Sequence, residues 1–240
     1  MQDKRQAYEF LESVKLRLED ALPRPAEMRR RVRRTCAQAR KNPALRHMRG
    51  AEHAFVNGEA VPVLFRLLAE HPGMSEESAR LSFLSESFRS LPDFCSGTPT
   101  RALRHPFSKA LGADPGSIYR KWSGRADGRE LTKSCPDFAW RHPFPHRIVF
   151  EAKYFERGGL STAERSLVVN AYQACFYRGL PAHASVSERP VWDYDYACVF
   201  AYDAGDRGYL VQAWETLPPE VKNGFWNGAN LYMMILRGHA

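Results

Sequence analysis

Residues 134–155, SCPDFAWRHPFPHRIVFEAKYF, decide the fold of the chain, because they predict two short strands joined by a proline-containing connection. The second strand, at 147–155, is rich in Val, Ile, Phe and Tyr, which are typical of buried strands. Three charged side chains interrupt this apolar sequence: Asp137, Glu151 and Lys153. Charged groups are seldom buried without a partner, so they indicate a structural ion pair, a solvent-facing edge, or a site that holds a charged ligand.

The sequence on both sides of this stretch has the periodicities of an α/β protein. Apolar residues recur at helical spacing in some segments, and short apolar runs bounded by Gly, Pro or Asp occur in others. The predicted helices are 3–21, 26–41, 60–70, 75–91, 160–180 and 207–217, and the clearest predicted strands are 147–155, 194–203 and 229–238. The order of helix, three-stranded meander, helix and strand predicts a mixed central sheet with helices on both faces.

Length and composition favour one sizeable core with a helical appendage. The chain has 240 residues, 44% of them hydrophobic, which is enough for a well-buried domain. We predict an N-terminal helical, basic extension over residues 1–72 and an α/β core over residues 73–240.

Positive charge is concentrated near the N-terminus. The formal net charge is +8, and residues 24–50 carry ten Lys or Arg against one Glu, so the remainder of the chain has a net charge of −1. Such a segment attracts polyanions, of which nucleic acid is the leading candidate and an acidic membrane or protein surface the lesser one. The alternative is that it is a solvated helix face without a partner. An apolar stripe of Met28, Val32, Cys36 and Ala39 would dock this helix. The side chains then predicted to bind nucleic acid are Arg29, Arg30, Arg33, Arg34 and Lys41.

Several other classes of protein are not indicated. The longest apolar runs are too short to span a membrane, and the charged start MQDKRQ is not a signal peptide, so we expect a cytoplasmic protein without a membrane partner. The five cysteines are scattered without a CxxC pair, which argues against zinc or disulfides. The phosphate-binding motif GxxxxGK does not occur, so no nucleotide cofactor is expected.

The charges in the opening stretch suit a metal-dependent hydrolase. Glu151 and Lys153 are two positions apart on a strand and therefore point to the same face. If Asp137 lies on the adjacent strand, its carboxylate reaches the same patch. Two converging carboxylates repel unless a cation lies between them, and hard oxygen ligands select Mg²⁺ or Mn²⁺. A nearby ammonium would orient a water or stabilise charge that develops on a phosphate.

Pro136-Asp137, a spacing of thirteen residues, and Glu151-Ala152-Lys153 together resemble the PD-(D/E)xK nuclease superfamily. The resemblance implies a restriction-endonuclease-like core over residues 73–240. It also implies that Asp137, Glu151 and the Ala152 carbonyl bind the metal and that Lys153 positions or activates the hydrolytic water. The chain contains a second PDF at 92–94 and a second ExK at 220–222, but the former follows a helix and the latter is predicted to lie in a polar turn.

The helix after the ExK strand carries a polar stripe. Gln173 and Tyr177 stand at i and i+4, and Ser166 and Asn170 extend the stripe backward, so these residues either line the site or face solvent. The Gln-x-x-x-Tyr spacing is similar to that of the RecB-type and phage-exonuclease branches of the superfamily. Those branches often add an acid from the first core helix, for which Glu77 is our first candidate and Glu86 the second.

The function implied by the resemblance is that of a magnesium-dependent DNA endonuclease of the restriction or defence type, with Mn²⁺ as a substitute metal. Such an enzyme would act on DNA as a homodimer or within a larger defence complex. Two alternatives stay open at this point. One is an end-dependent recombination or repair exonuclease, and the other is a non-catalytic nucleic-acid-binding subunit.

Overall fold

The computed structural model describes residues 2–70, 138–140, 148–178 and 195–239. The helices in this part of the chain are α1 (Gln2–Ala21), α2 (Pro25–Lys41), α3 (Ala51–Phe55), α4 (Val61–Ala69), α5 (Leu160–Arg178), α6 (Tyr209–Glu215) and α7 (Pro219–Ala229). A 3-10 helix (Pro43–Met48) and a π-helical turn (Val56–Ala60) flank α3. The strands are β1 (Phe138–Trp140), β2 (Ile148–Phe155), β3 (Tyr196–Asp203) and β4 (Leu231–Leu236).

The four strands form one mixed sheet in the order β1-β2-β3-β4. β1 runs antiparallel to β2, with Phe138 paired with Phe150. β2, β3 and β4 are parallel to one another. The predicted mixed sheet is therefore confirmed for the described strands, and the parallel pairs are joined through helices as parallel connections require.

Helices cover both faces of this sheet, as predicted. On one face, α5, α6 and α7 pack against alternate strand residues that include Val149, Val199 and Met233. On the other face, α1 to α4 pack against the intervening residues, among them Phe150 and Phe200. The helices of the predicted N-terminal extension thus share a hydrophobic core with the sheet, whereas the predicted boundary at 72/73 lies outside the described residues.

The basic helix α2 docks by the apolar stripe that the sequence predicts. Pro25 stands in its first turn, where the missing backbone N–H costs no intrahelical bond. Met28, Val32 and Ala39 are buried and Cys36 is half-buried. The helix therefore presents its arginines away from the core or along its margins.

One helix, α7, corrects the prediction that residues 218–222 form a polar turn. Pro219 occupies the first turn of α7, a position that favours proline, so it begins the helix and does not interrupt it. Val221, Phe225 and Ala229 then recur at a spacing of four and are all buried. The second ExK match accordingly lies at the start of a helix and not on a strand.

The segment after β4 ties the sheet to the turn between α1 and α2. The Tyr202 hydroxyl donates to the Arg237 carbonyl at 2.8 Å and also contacts the Pro23 carbonyl. The His239 amide donates to the Glu19 carbonyl at 2.9 Å. Gly238, between them, has φ +71° and lies against the carbonyls of Leu22 and Pro23.

Replacing Gly238 by Ala is expected to lower the free energy of unfolding by about 2–4 kcal/mol, because an L residue is strained at this φ and its Cβ would lie within 2.6 Å of the Leu22 oxygen. Urea unfolding followed by circular dichroism measures the change. Gly228→Ala is the matched control, since its Cβ would meet nothing within 4 Å on the surface of α7. We expect the control to be neutral or slightly stabilising; equal midpoints for the two variants would contradict the prediction.

None of the helices in the described ranges combines the length and the apolar character needed to cross a membrane.

Candidate active site

Glu151 and Lys153 lie in the middle of β2 and share a face with Val149, as the alternation of a strand requires. The register places Glu151 beside Val199 of β3, which pairs in turn with Met233 of β4. Glu151 is only 2% exposed, so its carboxylate is almost completely shielded from solvent. The Lys153 Nζ is 2.5 Å from Glu151 Oε1, and this ammonium compensates the buried charge.

A second carboxylate, from Glu52 of α3, reaches the same ammonium. Lys153 Nζ donates to Glu52 Oε1 at 3.1 Å, and the Glu52 side chain is 41% exposed. Glu52, Glu151 and Lys153 together form what we call the ion triad. It extends from a buried carboxylate through an 18% exposed lysine to a carboxylate in contact with solvent.

The position of α3, and with it Glu52, follows from aromatic packing on the opposite face of the sheet. Phe55 is fully buried one turn after Glu52, and its ring lies 5.4 Å from that of Tyr154 and 5.9 Å from that of Phe200, between centroids. Such aromatic contacts fix the orientation of a helix as well as burying area. The sequence carries no local signal for this arrangement, because Glu52 and Lys153 are 101 positions apart.

The remaining predicted acids fall outside the described residues. These are Asp137 and the two helix candidates Glu77 and Glu86. β1 nevertheless begins at Phe138, whose partner Phe150 directly precedes Glu151. The described part of the chain therefore contains the strand pair on which the predicted site depends, together with two of its charged groups.

The triad has the chemistry of a cation site but not a complete ligand set of its own. Glu52 and Glu151 offer carboxylate oxygens, the ligands that Mg²⁺ prefers. The Lys153 ammonium already occupies the place of a cation at Glu151. Within the described ranges no group of three or more His, Cys, Asp or Glu side chains is arranged to hold a metal ion.

The polar stripe of α5 is largely buried. Ser166 is 8% exposed and Asn170 is 2% exposed, and the Asn170 amide donates to the Ser166 hydroxyl at 3.3 Å. For these two residues the solvent-facing alternative is wrong, because buried polar groups must be satisfied within the protein. Gln173 is half-buried one turn further along the helix, and the Tyr177 side chain lies outside the described part.

Carboxylates partly neutralise the predicted nucleic-acid-binding face of α2. Arg29 is 18% exposed and lies 2.5 Å from Asp206. Arg30 pairs with Glu27 at 2.5 Å, and Arg33 pairs with Glu156 at 2.6 Å. Arg34 and Lys41 are exposed, and neither has a carboxylate partner within the described residues.

The ion pairs of α2 also change the acidity of their members. A hydrogen bond from Arg31 lowers the pKa of Glu27, and the nearby Arg30 lowers it further. The hydrogen bond to Glu156 raises the pKa of Arg33. Glu27 and Arg33 therefore stay ionised at neutral pH. Each is paired with an oppositely charged side chain, which reduces the net positive charge on the outer surface of the helix.

Comparison with known proteins identifies no relative of this chain. No protein-family model matches the chain, and no curated protein or solved structure matches it either. The interpretation of the site therefore depends on the residues and geometry of this chain.

Proposed function

We propose that the protein is a magnesium-dependent DNA endonuclease of the PD-(D/E)xK type with a restriction-endonuclease-like core. One observation carries the proposal: a buried carboxylate and an ammonium, Glu151 and Lys153, lie 2.5 Å apart on one face of a sheet strand. This strand is paired with the segment that directly follows Asp137. The mixed sheet with helices on both faces supports the same assignment.

The register of β1 and β2 supports a role for Asp137, although this residue lies outside the described part. A peptide bond joins Asp137 to Phe138, so their Cα atoms are about 3.8 Å apart. Phe138 is paired with Phe150, and if the same antiparallel register continued by one residue, Asp137 would stand opposite Glu151. Directly opposite residues of an antiparallel pair project to the same face, which would bring both carboxylates to Lys153.

Each residue has a chemical task in this proposal. Asp137, Glu151 and the Ala152 carbonyl would hold Mg²⁺, which when bound polarises the phosphate and increases the acidity of water. Lys153 would orient the attacking water and stabilise negative charge on the phosphate oxygens. Glu52 would be a positioning residue, because its carboxylate accepts a hydrogen bond from the Lys153 ammonium at 3.1 Å. Gln173 and Tyr177 would border the site from α5, as the resemblance implies.

The direct test is cleavage of supercoiled plasmid with magnesium and with EDTA. We expect metal-dependent nicking or linearisation by the wild type and a loss of at least about 100-fold in Asp137→Asn. Asp93→Asn, in the second PDF match, is the matched control and should cut like the wild type. An intact circle together with degradation of a linear fragment would instead indicate the exonuclease, and no metal-dependent cleavage of either substrate would overturn the hydrolase proposal.

A non-catalytic nucleic-acid-binding protein is the second candidate, and the ion triad itself favours it. Lys153 is in contact with two carboxylates, so the charges on β2 have a structural partner without any metal. In that case the arginines of α2 would make the contacts with nucleic acid. DNA binding that persists in EDTA, combined with the absence of cleavage, would support this candidate.

A further inference from the structure

A cavity of about 560 Å³ lies between α2, the beginning of α3 and the carboxyl end of β2. Four arginines line it, namely Arg33, Arg40, Arg49 and Arg157. The only carboxylate among its described lining residues is Glu156, so the lining has a net charge of +3. A concave site with this balance attracts anions.

Three of these arginines are available to a ligand. Arg33 pairs with Glu156 at 2.6 Å, whereas Arg40, Arg49 and Arg157 are exposed and have no carboxylate partner within the described part of the chain. Arg49 Nε donates to the Ala39 carbonyl at 3.3 Å, which fixes its guanidinium at the cavity wall. A group held in this way loses little conformational freedom when it binds an anion.

The other polar groups of the wall do not oppose an anion. Burial raises the pKa of the Tyr154 hydroxyl and of the Cys36 thiol, so both are neutral at physiological pH. The Tyr154 hydroxyl is buried and has no hydrogen-bond partner among the described residues. Buried hydroxyls ordinarily have one, so this wall of the cavity has spare hydrogen-bonding capacity.

The cavity adjoins the ion triad. Ala51 and Tyr154, which line it, are the chain neighbours of Glu52 and Lys153. Tyr154 and Lys153 project to opposite faces of β2, so an anion in the cavity would lie close to the triad but separate from the group that the proposed mechanism directs at the scissile phosphate. The outer arginines Arg29 and Arg30 are less suitable, because each is held by a carboxylate at 2.5 Å.

We propose that this cavity binds a backbone phosphate of the nucleic acid other than the phosphate that is cut; this assignment rests on the proposed function. Guanidinium groups match phosphate oxygens in bidentate geometry, and several arginines around one concave site favour a phosphate ester over a single carboxylate. The volume of the cavity is of the size that holds a small ligand such as one nucleotide unit.

The test compares two double variants that remove the same charge. Arg49→Ala with Arg157→Ala alters the cavity, and Arg66→Ala with Arg207→Ala removes two exposed arginines that do not line it. Binding to a fluorescently labelled DNA duplex is measured by anisotropy in EDTA over a range of salt concentrations. Thermal unfolding checks that both variants are folded.

We expect the cavity variant to bind the duplex at least about tenfold more weakly, with the slope of log affinity against log salt reduced by about 1, because one phosphate contact is lost. The control should change the affinity by less than about threefold, because salt screens distant exposed charges. Wild-type affinity and slope in the cavity variant would overturn the assignment. So would a loss of thymidine monophosphate binding with unchanged duplex binding, because the cavity would then serve a free nucleotide.

Failure of this inference can be told apart from failure of the proposed function. Binding in EDTA needs no cleavage. If the protein never cuts DNA but binds it through Arg49 and Arg157, the cavity assignment is supported and the hydrolase proposal is overturned. If the protein cuts plasmid and its cavity variant binds DNA with wild-type affinity, the hydrolase proposal is supported and the cavity assignment is overturned.

Discussion

Replacing Lys153 by Ala is expected to lower the rate of magnesium-dependent DNA cleavage by about 10²- to 10⁴-fold, the range that a single proton-transferring or charge-stabilising side chain contributes. Lys153 lies 2.5 Å from Glu151 and 3.1 Å from Glu52, so it is the group on which both carboxylates converge. Single-turnover cleavage of a labelled duplex, with enzyme in excess, measures the rate. Anisotropy in EDTA should show that DNA affinity is retained.

The second ExK match supplies the control for this prediction. Lys222 lies on α7, where its Nζ donates to the Glu215 carbonyl at 2.9 Å and lies 5.5 Å from the Trp214 ring centroid. Lys222→Ala removes the same charge and the same number of atoms, yet it should leave the cleavage rate unchanged. If Lys153→Ala cleaves DNA at the wild-type rate, Lys153 has no part in the cleavage mechanism.

The stability of the Glu151–Lys153 pair should distinguish a site from a structural ion pair. Lys153→Met is expected to lower the free energy of unfolding by about 3–5 kcal/mol, because it leaves Glu151, which is 2% exposed, without the ammonium at 2.5 Å. Glu151→Leu should cost less, since Lys153 is 18% exposed and still contacts Glu52. The double variant should regain most of the loss, because apolar residues of similar volume often replace a buried pair without cost.

Urea unfolding of the wild type, the two single variants and the double variant measures the four free energies of this double-mutant cycle. A double variant at least as stable as the wild type would mean that the pair is retained for a reason other than stability, as a functional site requires. A double variant that is clearly less stable than the wild type, with a loss smaller than the sum of the two single losses, would show that the pair stabilises the fold, and it would favour the non-catalytic candidate. The m-values should agree across the four proteins, since the buried area hardly changes.

Local patterns predicted much of the described fold. The apolar runs of β2, β3 and β4 and the helical periodicity of α1, α2 and α5 correspond to elements whose burial is set by their own residues. The stripe of α2 was predicted for the same reason, because a spacing of three and four residues places side chains on one helix face. The pairing of Glu151 with Lys153 also follows from a spacing of two on one strand.

The rest could not be predicted because it depends on contacts between distant segments. Glu52 joins the triad only because α3 packs on the far face of the sheet, and Arg29 meets Asp206 across the chain. The sequence at the start of α7 indicates a turn because Pro218 and Pro219 precede Glu220, although the spacing of Val221, Phe225 and Ala229 indicates a buried helical stripe. Proline at a helix start and proline in a turn have the same local sequence, and only the packing distinguishes them.

The packing of α1 on the sheet has a consequence for synthesis of the protein. Lys4 of α1 donates to the Asn230 side chain at 2.6 Å, 226 residues later in the chain, and the buried residues of α1 and α2 lie against strands that begin at Ile148. At a translation rate of about 5–20 residues per second, a nascent chain emerging from the ribosome would keep these apolar helix faces uncovered for roughly 10–45 s. Chaperones that hold exposed hydrophobic segments would therefore act on the first two helices before the sheet is made.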